Sequence, residues 1–111
     1  MPGRWRRRRD APLDGAPVEV TDAAGASRYE ARVGGELAGH LDYRREPDRI
    51  VLVHTETERA YEGHGVASAL ARAALDEARA EGLLVIPRCP FVRSYLERHA
   101  EDRDLLPPPA T

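Results

Sequence analysis

Apolar and polar residues alternate along the first half of the chain and then switch to a helical period. Val18-Glu19-Val20-Thr21 predicts a first strand, with Asp22 to Ala26 as its turn. Arg28 to Val33 alternates again, placing Tyr29, Ala31 and Val33 on one face. Gly34-Gly35 predicts a two-residue hairpin turn, because both positions accept the positive φ that such turns require. Glu36 to Tyr43 returns as the partner strand, with Leu37, Gly39, Leu41 and Tyr43 together on one face. Arg45 to Asp48, with Pro47, marks a second turn. Arg49 to Thr55 follows as a strand apolar on both sides, the pattern of a sheet centre covered on two faces.

From Val66 to Ala80 the apolar residues stand at 66, 67, 70, 71, 74, 75 and 78, one stripe of a helix about 22 Å long. Gly82 stops it. Leu83 to Ile86 predicts a short buried strand. Pro90 opens a second helix, whose inner face is Phe91, Val92, Tyr95, Leu96 and His99. Leu105 to Thr111 is Pro-rich and is expected to fray after a final apolar anchor. The order is β-β-β-β-α-β-α, a mixed α/β sheet in which an antiparallel meander turns parallel after a crossover helix.

Size and charge narrow this picture. At 111 residues the chain holds one core and no second domain. Apolar residues make up 41% and charged residues 32%, the balance of a soluble globular protein. A spanning helix needs about 20 apolar residues, far beyond the runs Ile50 to Val53 and Leu83 to Ile86, so no membrane span is expected. The net charge of −2 hides an asymmetry. Residues 1–9 carry five Arg and no acid, whereas the remainder carries twelve Arg against nineteen acids. Residues 1–17 therefore read as a disordered Arg-rich arm, 18–106 as an acidic domain and 107–111 as a Pro-rich tail. No apolar segment follows the arginines as in a secretory signal, so the cytoplasm is the expected compartment. All 17 basic residues are Arg, and Lys, Asn and Gln are missing, which reads as coding bias. Trp5 with Arg6 to Arg9 could hold phosphates in a salt-dependent way, but a solvated arm is the simpler reading and no nucleic-acid partner is assigned.

Cys89 is the single cysteine, which excludes an intramolecular disulfide and a cysteine-based zinc site. The four histidines lack metal-binding spacing, so no metal is expected. His40 falls on the outer face of its strand and reads as a surface residue, and His99 ends a helix.

The chemistry concentrates around the crossover. In Glu62-Gly63-His64-Gly65-Val66-Ala67, two glycines two apart let the backbone turn sharply just before a helix. The first helical turn offers unpaired N–H groups and the positive end of the dipole, which favour phosphate. The loop is neither a Walker loop nor the dinucleotide fingerprint, and a plain tight turn is the alternative reading of these residues alone. Upstream, His54-Thr55-Glu56 ends the central strand. Period two puts Ile50, Leu52, His54 and Glu56 on one face, where an imidazole can move a proton and a carboxylate can orient it. Cys89 closes the following strand. If the two strands are parallel neighbours, His54, Glu56 and Cys89 surround one crevice, the usual ligand position in open α/β sheets.

These residues resemble the small N-acetyltransferase-like branch of the GNAT superfamily. The likeness runs from Gly35-Glu36-Leu37-Ala38-Gly39 through His54-Thr55-Glu56, Glu62 to Ala67 and Pro87-Arg88-Cys89-Pro90-Phe91-Val92 to Tyr95-Leu96. It implies a minimal GNAT fold with a splayed parallel strand pair and acetyl-CoA as co-substrate. The loop Gly63, His64, Gly65, Val66 and Ala67 is then expected to carry the pyrophosphate, with the pantetheine arm between strands 49–55 and 83–86. It implies transfer of an acetyl group to an exposed amine, such as one on a protein or peptide, because the paired helices and final strands that wall the acceptor site in larger relatives are missing.

Glu62 stands where most of the superfamily carries Arg or Gln, which leaves the phosphate to the backbone and His64. Two mechanisms follow from the resemblance. In direct transfer Glu56 or His54 takes the amine proton and Tyr95 protonates the leaving thiolate. In a relay, Cys89 activated by His54 accepts the acetyl group first. The rival reading is a non-catalytic acyl-CoA-binding or sensing module. The strand near residues 18–22 offers a pairing edge to a second chain without requiring one.

Overall fold

The computed structural model describes residues 17–109; the Arg-rich arm, with Trp5 and Arg6 to Arg9, lies outside them. Ten elements follow in order. They are β1 (Val18–Ala23), a 3-10 turn (Ala24–Ala26), β2 (Arg28–Val33), β3 (Glu36–Arg45), β4 (Arg49–Thr57), a second 3-10 turn (Arg59–Tyr61), α1 (Val66–Glu81), β5 (Leu84–Pro87), α2 (Pro90–Arg98) and a 3-10 segment (Ala100–Leu105). The five strands lie in the sheet in chain order. Neighbours are antiparallel up to β4, and β4 pairs with β5 in parallel across the α1 crossover. The mixed sheet and its order agree with the sequence reading.

The β2–β3 turn is made by Gly34 and Gly35, with φ of 60° and 87°, as the paired glycines predict. Helix α1 ends at Gly82, whose φ of 69° lets its N–H reach the carbonyls of Ala78 and Arg79. Leu83 donates its N–H to Ala78 as well, so it belongs to the helix exit and β5 begins one residue later than expected.

Two bulges change which side chains face the core. Between β2 and β3, Ala31 pairs with Gly39 but Arg32 pairs with Leu37, so Ala38 is an extra residue in β3. Leu37 consequently shares a face with Arg32 instead of joining Gly39 and Leu41, and Ala38 is buried. Between β3 and β4, Asp42 pairs with His54 and Tyr43 with Leu52, so Val53 is the extra residue. Ile50 and Leu52 face the core, but beyond Val53 the core-facing positions are Thr55 and Thr57, opposite Leu41 and Gly39. His54 and Glu56 therefore leave on the other face, not on the face of Ile50 and Leu52 as strict alternation predicts.

One cluster forms the core. It takes Tyr29, Leu41, Ile50 and Leu52 from the sheet, Leu70, Ala74 and Leu75 from α1, and Val92, Tyr95 and Leu96 from α2. Both helices join this cluster, so the described elements cover one face of the sheet rather than two. On the opposite face Val51 is buried, but Val53 is 43% exposed.

The C-terminal segment is clamped to α1, and Leu105 is buried as its apolar anchor. Asp102 is 3% exposed and accepts two hydrogen bonds from Arg72, at 2.7 and 2.9 Å. Arg79 reaches the same carboxylate at 3.4 Å and forks onto Asp104 at 2.8 Å. These arginines hold the Asp102 and Asp104 carboxyls below the usual carboxylate range.

Candidate functional site

The parallel ladder between β4 and β5 stops at the Leu52–Pro87 pair. There the Leu52 carbonyl accepts both the Arg88 and Cys89 N–H groups, each at 2.9 Å. Strand β4 continues to Thr57, whereas the chain after β5 turns through Arg88 and Cys89 into α2, with Pro90 in its first turn. The two strands therefore part, leaving β4 residues 53–57 without a partner on that side.

The start of α1 faces this opening. Gly63 and Gly65 adopt φ of 84° and 78°, values that favour glycine, and nothing lies within 4 Å of a Cβ built on either. Gly65 is the N-cap residue and no side chain caps the helix; its first turn carries no acidic residue. The first bond of the helix runs from the Ala69 N–H to the Gly65 carbonyl, at 3.0 Å. The preceding N–H groups of Val66, Ala67 and Ser68 have no backbone acceptor among the described residues. A cleft of about 350 Å3 lies over them, lined by Thr57, Tyr61, Gly63, Gly65, Val66 and Phe91 among others. A bare helix N-terminus under a cleft suits an anionic phosphate. His64 is half-buried in the same loop.

The residues singled out from the sequence divide into two groups on either side of β4. On the outer face His54 Nε2 lies 2.8 Å from Glu56 Oε2. Hydrogen bonding to His54 lowers the Glu56 carboxyl below its ordinary value, and the charges of His54 and His40 add to this. Glu56 is therefore ionised at neutral pH and can only accept, so Nε2 of His54 donates to it, and in the neutral form of the ring the lone pair falls on Nδ1. On the core face Cys89 is 2% exposed, and its Sγ lies 3.2 Å from the Thr55 hydroxyl. Cys89 thus meets Thr55 rather than His54. Tyr95 is buried in α2 with its ring stacked on His99 at 3.9 Å and tilted against Phe91 at 6.4 Å.

Two contributors escape sequence reasoning. Thr55 sits in the H-T-E run, but only the Val53 bulge turns it toward Cys89. A Cβ on Gly39 would lie 2.6 Å from the Glu56 carbonyl and 2.9 Å from Val66 Cγ1. Gly39 therefore lets β3, β4 and the first residue of α1 close on one another, and the signal for it was a glycine inside a strand.

A mixed sheet that parts at its parallel pair, beside a glycine turn and an uncapped crossover helix, is the architecture of an N-acetyltransferase-like domain. The family model described as GCN5-related N-acetyl-transferase matches residues 28–105, and the chain belongs to that family. It is 33% identical over 91 residues to Protein NATD1 of Bos taurus, covering 80% of each chain. It is 34% identical over 95 residues to Protein NATD1 of Gallus gallus, covering 80% of this chain and 86% of that one. Among solved structures, a GCN5-like protein of Staphylococcus aureus superposes with a TM-score of 0.60 at 22% identity, covering 83% of this chain and 90% of the other. The ribosomal-protein-alanine N-acetyltransferase of Brucella melitensis gives 0.54 at 19% identity, covering 76% of this chain. The chain spans 63% of the length of that Brucella protein, and the likeness is one of fold. Among the described residues no helix is long and apolar enough to cross a membrane.

Proposed function

We propose that the protein is an acetyl-CoA-dependent N-acetyltransferase acting directly on an exposed amine, such as one on a protein or peptide. The observation that carries this reading is the parting of β4 from β5 beside the bare N-terminus of α1. The N–H groups of Val66, Ala67 and Ser68 and the turn at Gly63, His64 and Gly65 hold the pyrophosphate, and the gap beyond Leu52 admits the pantetheine arm. The co-substrate supplies the acetyl group as a thioester. His54 takes a proton from the acceptor ammonium at Nδ1, with Glu56 fixing the ring through Nε2. The neutral amine then attacks the thioester carbonyl; a C–N bond forms, the C–S bond breaks, Tyr95 protonates the thiolate that leaves, and the surplus proton on the nitrogen passes through solvent to the tyrosinate.

Direct transfer is favoured over an acyl relay because the Cys89 thiol is buried against Thr55, with His54 on the other side of the strand. A relay needs a thiolate beside its base. Acidic residues outnumber basic ones after residue 9, which suits a cationic acceptor.

The test combines calorimetry against acetyl-CoA and CoA with a thiol-release assay on spermidine and a peptide with a free N-terminus. Binding with CoA release that survives Cys89→Ala and is lost in His54→Ala supports direct transfer. An acetyl adduct on Cys89 in the intact mass, with loss of release in Cys89→Ala, would establish the relay instead. Binding without release from either acceptor would favour the sensing module.

A further inference from the structure

The His54–Glu56 pair continues across the outer face of the sheet in a regular pattern. Asp42 pairs across the strands with His54, and His40 with Glu56. On the next strand Arg28 pairs with Asp42, and Glu30 with His40. Directly paired residues share a face, so six ionisable side chains form a grid of two rows and three strands. With both imidazoles protonated the sign alternates at every step: Arg28, Asp42, His54 in one row and Glu30, His40, Glu56 in the other. Within each strand the two members also meet, Arg28 with Glu30 at 2.8 Å, His40 with Asp42 at 3.7 Å and His54 with Glu56 at 2.8 Å. Random polar decoration of a solvent face would not alternate in both directions.

We propose that Asp42 and His40 are positioning residues for the proton acceptor, extending the direct-transfer reading above, on which this inference rests. When His54 takes the acceptor's proton at Nδ1, the imidazolium has one carboxylate on its own strand, Glu56, and a second facing it from β3, Asp42. Two carboxylates flanking one imidazole would repel each other, and His40 stands between them as the fourth corner, facing Glu56 and paired with Asp42. Arg28 pairs with Asp42 from β2 while its guanidinium is engaged with Glu30. Strand β5 (Leu84–Pro87) adds no ionisable side chain to this face, and both helices lie on the other. The bulge at Val53 creates the arrangement: it moves His54 onto the face that already holds Asp42.

The experiment follows the His54 ring by 1H–15N correlation over pH in the wild type, Asp42→Asn, Asp42→Glu and His40→Gln. Melting temperature, acetyl-CoA affinity and thiol release with spermidine are measured on the same samples. Removing a facing carboxylate disfavours the imidazolium. The Asp42→Asn ring is therefore expected to titrate about half a pH unit lower than wild type, the size of a Coulomb interaction across neighbouring strands near water. Asp42→Glu should restore it. Thiol release at pH 8, above the ordinary imidazole range, should fall by up to about threefold in Asp42→Asn and His40→Gln, with acetyl-CoA affinity unchanged. A His54 titration that is the same in Asp42→Asn and wild type would overturn the proposal, as would a shifted titration with release unaltered. Failure of the wild type to bind acetyl-CoA would instead overturn the transferase reading and the catalytic role with it, while the ring titration still reports whether Asp42 holds His54.

Discussion

Gly39→Ala joins the packing of the domain to the geometry of its site. The added methyl would sit 2.6 Å from the Glu56 carbonyl oxygen and 2.9 Å from Val66 Cγ1, where ordinary contact begins at 3.4 Å. Relief requires a separation of 0.8 Å (3.4 − 2.6) from the carbonyl and 0.5 Å (3.4 − 2.9) from the valine. Val66 can turn its side chain, but the carbonyl moves only if β4 moves. That stretch of β4 is pinned by its ladder to β3 and by the Glu58 N–H bonded to the Ala38 carbonyl at 2.8 Å. Overpacking of this kind costs about 1–3 kcal/mol. Gly39 is not among the residues with positive φ, so alanine also gains about 0.4–1 kcal/mol by restricting the unfolded chain. The net loss is about 1–2 kcal/mol, which for a domain of this size lowers the melting temperature by roughly 5–15 °C. Thermal unfolding followed by circular dichroism reads it directly. Gly25→Ala is the control, since nothing lies within 4 Å of its added methyl and its φ is negative. It should melt at or slightly above the wild-type temperature. A Gly39→Ala protein that melts with the wild type would refute the close approach of β3 to β4 and α1.

Other expectations follow from the same geometry. Gly65→Ala meets no clash but forces alanine to a φ of 78°, costing about 1–2 kcal/mol and disturbing the N–H groups above it; acetyl-CoA affinity by calorimetry should drop at least tenfold. Asp102→Asn removes the carboxylate shared by Arg72 and Arg79, and because both arginines are partly solvated the loss should be about 1–2 kcal/mol in a denaturant titration. The folded Asp102 carboxyl is lowered by its Arg72 hydrogen bonds, so its contribution is complete above the unfolded value, about 3.9, and is lost as pH falls through the lower folded one. Wild-type melting temperature should therefore hold from pH 7 to 5 and fall below about pH 4, with a shallower fall in Asp102→Asn. Gly82→Ala places alanine at a φ of 69° in the α1 C-cap and should cost about 1 kcal/mol without altering acetyl-CoA affinity.

What the sequence disclosed and what it withheld have separate physical causes. Strand and helix periods, the Gly34-Gly35 turn, the Gly82 stop and the Pro90 start are local signals, and each element they predict is present. A bulge has no such signature. Ala38 and Val53 are ordinary strand residues, and only pairing with the neighbouring strand reveals one residue too many. The segment Ala100–Leu105 escaped for a related reason. Its anchor is a buried carboxylate, Asp102, whose partners lie 30 and 23 residues away, and no local pattern in Glu101-Asp102-Arg103-Asp104 distinguishes the buried acid from the exposed ones.

The Val53 bulge carries the most consequence for function. With strict alternation from Ile50, His54 and Glu56 would point into the core beside Cys89, and Thr55 would face solvent. Two ionisable groups would then be desolvated against Leu41 and Val66, at a cost of several kcal/mol unless fully paired. One inserted residue exchanges the faces. The hydroxyl that can be satisfied by a thiol goes inward, and the imidazole and carboxylate go outward to the face that carries Asp42 and His40. The same insertion lies where β4 loses its β5 partner, so the strand changes face at the position where the sheet opens. A single bulge thus puts His54 and Glu56 on one side of the strand and the Cys89 thiol, in the cluster that also holds Tyr95, on the other. That separation keeps the thiol away from the His54 imidazole, the base that a relay through Cys89 needs beside it, and it is the physical argument for the direct transfer proposed above.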